Sequence, residues 1–181
     1  MNLTSILIVG VGGQGSLLTS RILGALALEM GLDVKVSEVH GMAQRGGSVV
    51  TYVRMGDNVA SPIIDEGGAD YMLSFEALEA LRYVQLMKKD GKIVVSTQQI
   101  DPMPVITGVA TYPNDVRIKL ESTVDTYFVN AIPTAMEIGN IRVVNTVMLG
   151  QLAKIMGTDK QKWINAISSC VPEKTISMNV E

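Results

Sequence analysis

Two strand-forming runs lie only eight residues apart, and that interval constrains the fold more than any other feature of the chain. The first, DVKVSEV at 33–39, sets Val34, Val36 and Val39 among polar residues. The second, SVVTYVRM at 48–55, closes on the turn signal Gly56-Asp57-Asn58. A parallel crossover with its helix needs roughly 10–12 residues, so His40 to Gly47 cannot hold one. The second run should therefore return antiparallel to the first.

Elsewhere strands alternate with helices. SILIVG at 5–10 is a short β run ending in glycine, and residues 17–30 read as a helix closed by Gly31 at C′. Strands are predicted over 70–74, 92–97 and 124–129. Helices are predicted over 75–87 with Ser74 as N-cap, over 142–156 ended by Gly157, and from a Thr158/Gln161 capping box to about Cys170, stopped by Pro172. The pattern predicts a three-layer α/β/α single domain over 1–181 with a mixed sheet and a Rossmann-like first β-turn-α unit. At 181 residues such a chain buries roughly 70% of its unfolded surface and needs no disulfide or metal staple.

Composition narrows the function classes. Hydrophobic residues are 47% and charged residues 18%, which excludes a disordered or acidic solvating module. A net charge of −3 supplies no excess of Lys and Arg for phosphate backbones, so nucleic acid is excluded as a partner. The mean hydropathy of +0.27 predicts apolar surface facing another subunit or a second copy of the chain. Residues 1–20 carry no charge, but no basic segment leads them, and four glycines and Gln14 interrupt them. They read as neither signal peptide nor membrane span, and the chain reads as cytoplasmic. Cys170 is the single cysteine, so no four-cysteine metal or iron–sulfur site can form from this chain. His40 is the single histidine, and no G-x-S-x-G elbow accompanies it. Between Ile93 and Asn114 the only charge is Asp101, and Pro102, Pro104 and Pro113 fall there. Such an apolar loop should be buried or covered, with Met103, Val105 and Ile106 at a subunit interface.

Glycine is clustered in two tracts. Gly10-Val11-Gly12-Gly13-Gln14-Gly15 follows a strand and opens a helix, where bare backbone can turn tightly and approach a phosphate. Glu38 then stands where a ribose-binding carboxylate is expected, which points to a dinucleotide. The short return after 39 breaks the β-α-β-α-β unit such a site uses, and the glycines could equally serve tight packing alone. The second tract, EVHGMAQRGG at 38–47, gathers Glu38, His40, Gln44 and Arg45 before Gly46 and Gly47. A guanidinium beside exposed backbone N–H groups suits phosphate or carboxylate. The alternative is a polar hairpin loop with Arg45 paired to Glu38 and a structural His40.

With these tracts in view, the sequence resembles the small (beta) subunit of the indolepyruvate ferredoxin oxidoreductases and is similar to the gamma subunits or domains of other 2-oxoacid:ferredoxin oxidoreductases. The matching pieces span nearly the whole chain: GVGGQG at 10–15, EVHGMAQRGG at 38–47, SPII at 61–64, Ala69-Asp70, FEALEALR at 75–82, Gly139-Asn140, Asn145 with MLG at 148–150, and VPEK at 171–174. GMAQRGG is the most specific, and it favours the indolepyruvate branch. The resemblance implies oxidative decarboxylation of a 2-oxoacid on thiamine diphosphate, electrons leaving through iron–sulfur clusters to ferredoxin, and acyl transfer to coenzyme A. One cysteine cannot ligate a cluster, so those cofactors are expected on a large partner subunit, and this chain is expected to be inactive alone. The coenzyme A or substrate side of the site would then fall to Gly12, Gly13, Gln14, Gly15, His40, Gln44, Arg45, Gly46 and Gly47. No catalytic residue and no metal ligand is assigned to this chain.

Three further positions have structural readings. On a helix, Asn145 shares an apolar stripe with Leu149, Leu152 and Met156, so its amide should bond a neighbouring loop's backbone. Glu76 and Glu79 should complement a helix N-terminus. The eleven methionines read as core or interface filler.

Overall fold

The computed structural model describes residues 3–41 and 46–180. Six strands form one sheet: β1 (Leu3–Val11), β2 (Asp33–His40), β3 (Ser48–Gly56), β4 (Ala69–Ser74), β5 (Met87–Ser96) and β6 (Asp125–Val129). Their order is β2-β3-β1-β4-β5-β6. β2 pairs antiparallel with β3, Val36 opposite Val53, as the short interval requires. The return then inserts β3 between β2 and β1, with Leu7 opposite Tyr52, again antiparallel. β1, β4, β5 and β6 run parallel.

Eight helices accompany the sheet among the described residues: α1 (Ser16–Glu29), α2 (Ala77–Tyr83), α3 (Met103–Ile106), α4 (Val116–Thr123), α5 (Ala131–Ile138), α6 (Val144–Met156), α7 (Lys160–Cys170) and α8 (Ile176–Val180). β1 is apolar on both faces because it lies between two helical layers. Ile6 and Ile8 pack with Leu23 and Leu26 of α1, Leu149 and Leu152 of α6 and Trp163 of α7. Leu7 and Val9 pack on the opposite face with Ala80 of α2 and Leu120 of α4. Among the described residues no helix is long and apolar enough to cross a membrane.

The structure corrects several sequence expectations. The helix expected over 75–87 is only α2, because Glu76 rather than Ser74 is its N-cap, its carboxylate accepting from Glu79 N at 2.9 Å. The Ser74 hydroxyl donates instead to Glu76 O. Met87 already belongs to β5, which passes through Gly91 where its register on β4 shifts. A Cβ on Gly91 would lie 2.7 Å from Met87 Cε and 3.1 Å from Ala69 O, so that glycine serves a close crossing rather than a turn. Residues 141–143 form a 3₁₀ turn before α6 rather than its first turn. α7 is capped by Asp159, whose carboxylate accepts from Gln161 N at 2.6 Å, and Thr158 makes no such bond. The stretch 93–114 is not all loop: it begins in β5 and includes the short α3. Pro133 sits in the first turn of α5, where a missing N–H costs nothing.

Candidate functional site

β1 feeds α1 on one face of the sheet and β4 feeds α2 on the other, so the chain diverges at the carboxyl ends of these neighbouring strands. Open α/β sheets bind ligands in that crevice. The first glycine tract lies there. Gly13 and Gly15 have φ of +106° and +88°, a left-handed backbone that side chains resist. A Cβ on Gly15 would lie 2.6 Å from Asn145 Nδ2, whereas one on Gly13 would meet nothing within 4 Å. Gly15 thus answers to packing, and Gly13 faces open space.

Two amides clamp this turn. Gln14 Oε1 accepts from Val11 N at 2.7 Å, and its Nε2 donates to Phe75 O and Gln98 Oε1, both at 3.0 Å. Every polar atom of that side chain is engaged by the protein, so Gln14 fixes the turn's shape rather than offering its amide outward. Asn145 Nδ2 donates to Gln14 O at 3.1 Å, Gly15 O at 2.9 Å and Thr19 Oγ1 at 3.0 Å. The amide on the apolar stripe of α6 therefore bonds loop backbone, as its position predicts.

The second glycine tract meets the first. Gly12 N donates to Gly47 O at 2.8 Å, and Gly46 N donates to Gly12 O at 3.3 Å. Gln44 and Arg45 lie outside the described residues. Glu38 Oε2 accepts from Ser16 Oγ at 3.3 Å and Thr51 Oγ1 at 3.2 Å, while His40 Nδ1 stands 3.9 Å from Glu38 Oε1. With β3 interposed, β2 lies one strand further from β1 than a dinucleotide unit places it, about 5 Å. The carboxylate expected at a ribose is instead tied to the start of α1.

Clefts open on either side of the turn. One, of about 380 Å³, is lined by Gly12, Gly13, Gly15, Ser16, Leu17, Glu38, His40 and Val49. The other, of about 440 Å³, is lined by Gly13, Gln14, Gly15, Leu18, Phe75, Gln98, Ile132, Ile141, Arg142, Val144 and Asn145. No side chain caps α1 and no acidic residue stands in its first turn, and the Glu38 carboxylate that bonds Ser16 lies on the side of the first cleft. The first cleft contains a carboxylate, and the second contains a guanidinium and no acid. An anion is favoured in the second. In the sequence Arg142 reads only as the start of a helix; its one signal is an isolated cation between Gly139-Asn140 and an apolar helix.

Behind the crevice, Glu76 accepts from Tyr112 Oη at 2.6 Å and from Ile100 N at 3.3 Å, tying the segment after β5 to α2. Burial pushes the Tyr112 hydroxyl well above its ordinary range, and the neighbouring Glu76 carboxylate adds to it. Glu79 pairs with Arg82 at 3.0 Å and accepts from the Ser48 hydroxyl, yet burial still pushes its carboxyl up.

The family model for pyruvate ferredoxin/flavodoxin oxidoreductase matches residues 5–181. The chain is 42% identical to indolepyruvate oxidoreductase subunit IorB of Thermococcus kodakarensis, over 97% of this chain and 90% of that one. It is 41% identical to the subunit of the same name from Pyrococcus horikoshii, over 98% and 91%. Its fold is similar to that of pyruvate oxidoreductase subunit PORC from Thermotoga maritima, with a TM-score of 0.74 at 22% identity, covering 99% of this chain and 92% of that one.

Proposed function

The chain belongs to the pyruvate ferredoxin/flavodoxin oxidoreductase family as a small subunit of a 2-oxoacid:ferredoxin oxidoreductase, and from that premise we propose that it completes an enzyme for indolepyruvate or another aryl 2-oxoacid by holding the anionic part of coenzyme A or of the substrate. The observation that carries this reading is the cleft of about 440 Å³ at the divergence of β1 and β4, where bare glycine backbone, the uncapped start of α1 and Arg142 converge. Phosphate and carboxylate oxygens suit that set of donors.

The chain's residues divide the work. Gly12, Gly13 and Gly15 bring backbone within reach of an anion, and Gln14 with Asn145 holds that backbone in shape. Arg142 supplies the charge, His40 stands in the cleft on the other side of the turn, and Gln44, Arg45, Gly46 and Gly47 are assigned to the anion from the second tract. Gly46 and Gly47 already bond the first tract. Thiamine diphosphate and iron–sulfur clusters, which we assign to a large partner subunit in the cytoplasm, supply decarboxylation and electron transfer to ferredoxin. This chain holds one cysteine and one histidine, and among the described residues no three metal-ligating side chains come together.

The test is steady-state kinetics of the complex reassembled with the large subunit. Arg142→Ala and Arg45→Ala each remove a charge-assisted contact of about 1.5–3 kcal/mol, so the KM for coenzyme A or the 2-oxoacid should rise roughly ten- to over a hundredfold. Melting temperature and assembly should not change, and lysine at either position should recover only part of the loss. Unchanged constants in both alanine variants would return the glycine tracts to a structural role.

A further inference from the structure

A cavity of about 470 Å³ opens among α5, α6, α7 and α8 and shares no lining residue with either cleft at the glycine turn. Its walls include Ile138, Val147, Ile164 and Ile167. Trp163 also lines it, is 3% exposed, and carries a buried indole N–H with no acceptor among the described residues. A buried donor left unpaired is rare, because its lost hydration goes uncompensated.

The other polar groups of the wall sort by whether the protein already satisfies them. Thr146 Oγ1 donates to Val143 O at 2.9 Å and to Asn179 Oδ1 at 3.1 Å, and Asn179 Nδ2 donates to Thr175 O at 2.8 Å; these bonds pin α8 to α6. Lys154 and Lys160 line the cavity, and among the described residues they join no ion pair and face no acidic side chain across it. Of the groups left over, the indole N–H and the two exposed ammonium groups can only donate, and the Thr158 hydroxyl can donate or accept. Gly150 bears on the shape. It lies inside α6, where glycine is unfavourable, and a Cβ there would meet nothing within 4 Å. No neighbour requires a glycine at that position; its bare backbone keeps the cavity open.

An apolar chamber whose unmatched groups include three obligate donors and no obligate acceptor calls for a ligand with an apolar body and an anionic acceptor at one end. We propose that this cavity binds an apolar monocarboxylic acid, its carboxylate taken by the Trp163 N–H and the Lys154 and Lys160 ammonium groups and its aryl or alkyl body packed on α6 and α7. This site is independent of the reaction assigned to the complex.

Trp163 is the chain's only tryptophan, so its emission reports on this cavity alone. The full chain is titrated with 3-phenylpropionate and, separately, with decanoate, and each acid is compared with its primary alcohol. At least one acid should change the Trp163 emission saturably below millimolar concentration, and its alcohol should bind at least about tenfold more weakly. Preference between the two acids distinguishes an aryl acid from a fatty acid as the natural class. Gly150→Leu should fill the cavity and abolish the change without lowering the melting temperature. Lys154→Met with Lys160→Met should reduce the acid to the affinity of the alcohol, and Trp163→Phe, read by calorimetry, should weaken it. The proposal is overturned if neither acid binds at millimolar concentration, if the alcohols bind as well as the acids, or if Gly150→Leu binds like the unaltered chain.

Discussion

Glu79 is 5% exposed and held by Ser48 and Arg82, yet its carboxyl titrates above the usual range because desolvation outweighs those partners. A raised carboxyl pKa means that the folded state binds its proton more tightly than the unfolded one. Its contribution to stability is then complete below the unfolded value of 4.5 and is lost as pH rises through the folded value. Glu79→Gln should accordingly melt higher than the unaltered chain at neutral pH, with a difference that grows from about pH 4.5 upward. Melting of Glu79→Gln that instead falls below that of the unaltered chain as pH rises above about 4.5 would show that the ion pair, not burial, governs the site. At the glycine turn, Asn145→Ala leaves two loop carbonyls short of a donor and should cost about 1–3 kcal/mol in urea unfolding. Gly15→Ala brings a Cβ to 2.6 Å from Asn145 Nδ2 on a backbone at φ +88°, so it too should destabilise. Removing Asn145 relieves the contact but not the backbone strain, so the double variant should lose less than the sum of the two. The clamp was half legible in the sequence. An amide on an apolar stripe announces a buried hydrogen bond, but nothing local to Gln14 reveals that its partners stand 61 and 84 residues away.

At the scale of elements, what could be read depended on whether the signal was local. The antiparallel return followed from a loop too short to hold a helix, and the αL glycine after α6 was correctly placed at Gly157. That β3 inserts between β1 and β2 was not legible, since the choice of neighbour is made by packing across the whole sheet. α4 was missed because only Val116 and Leu120 of its eight residues are buried, too few to show a helical period. α7 was found with the wrong cap, and the two candidates are separable. Asp159→Ala should destabilise by about 1 kcal/mol through loss of the bond to Gln161 N, whereas Thr158→Ala should lie within about 0.5 kcal/mol of the unaltered chain. Thermal melts of the two variants decide between them, and equal losses would remove Asp159 as the cap.

Across the whole molecule, part of the apolar excess in the composition reappears on one segment. Met103, Ile106 and Val109 are 65%, 66% and 83% exposed, while Val105 is half-buried. We expect this segment to be covered in the assembled enzyme: Met103→Glu with Ile106→Glu should leave the melting of the isolated chain unchanged and sharply reduce co-purification with the large subunit. Full recovery of the complex would place the interface elsewhere. The insertion of β3 has a different consequence, one of timing. Of the six strands of the sheet β1 is synthesised first, and both its neighbours come later: Val11 must wait for Ser48, and Ile6 for Tyr71. β2 and β3 join through a short loop and can close as soon as they exist. On refolding, Ser37 and Tyr52 amides should gain protection from exchange before those of Ile6 and Ile8, and simultaneous protection would argue against this order. The strand that carries the glycine turn is then admitted between a finished hairpin and β4, so the turn acquires its shape only when most of the sheet is already there to receive it.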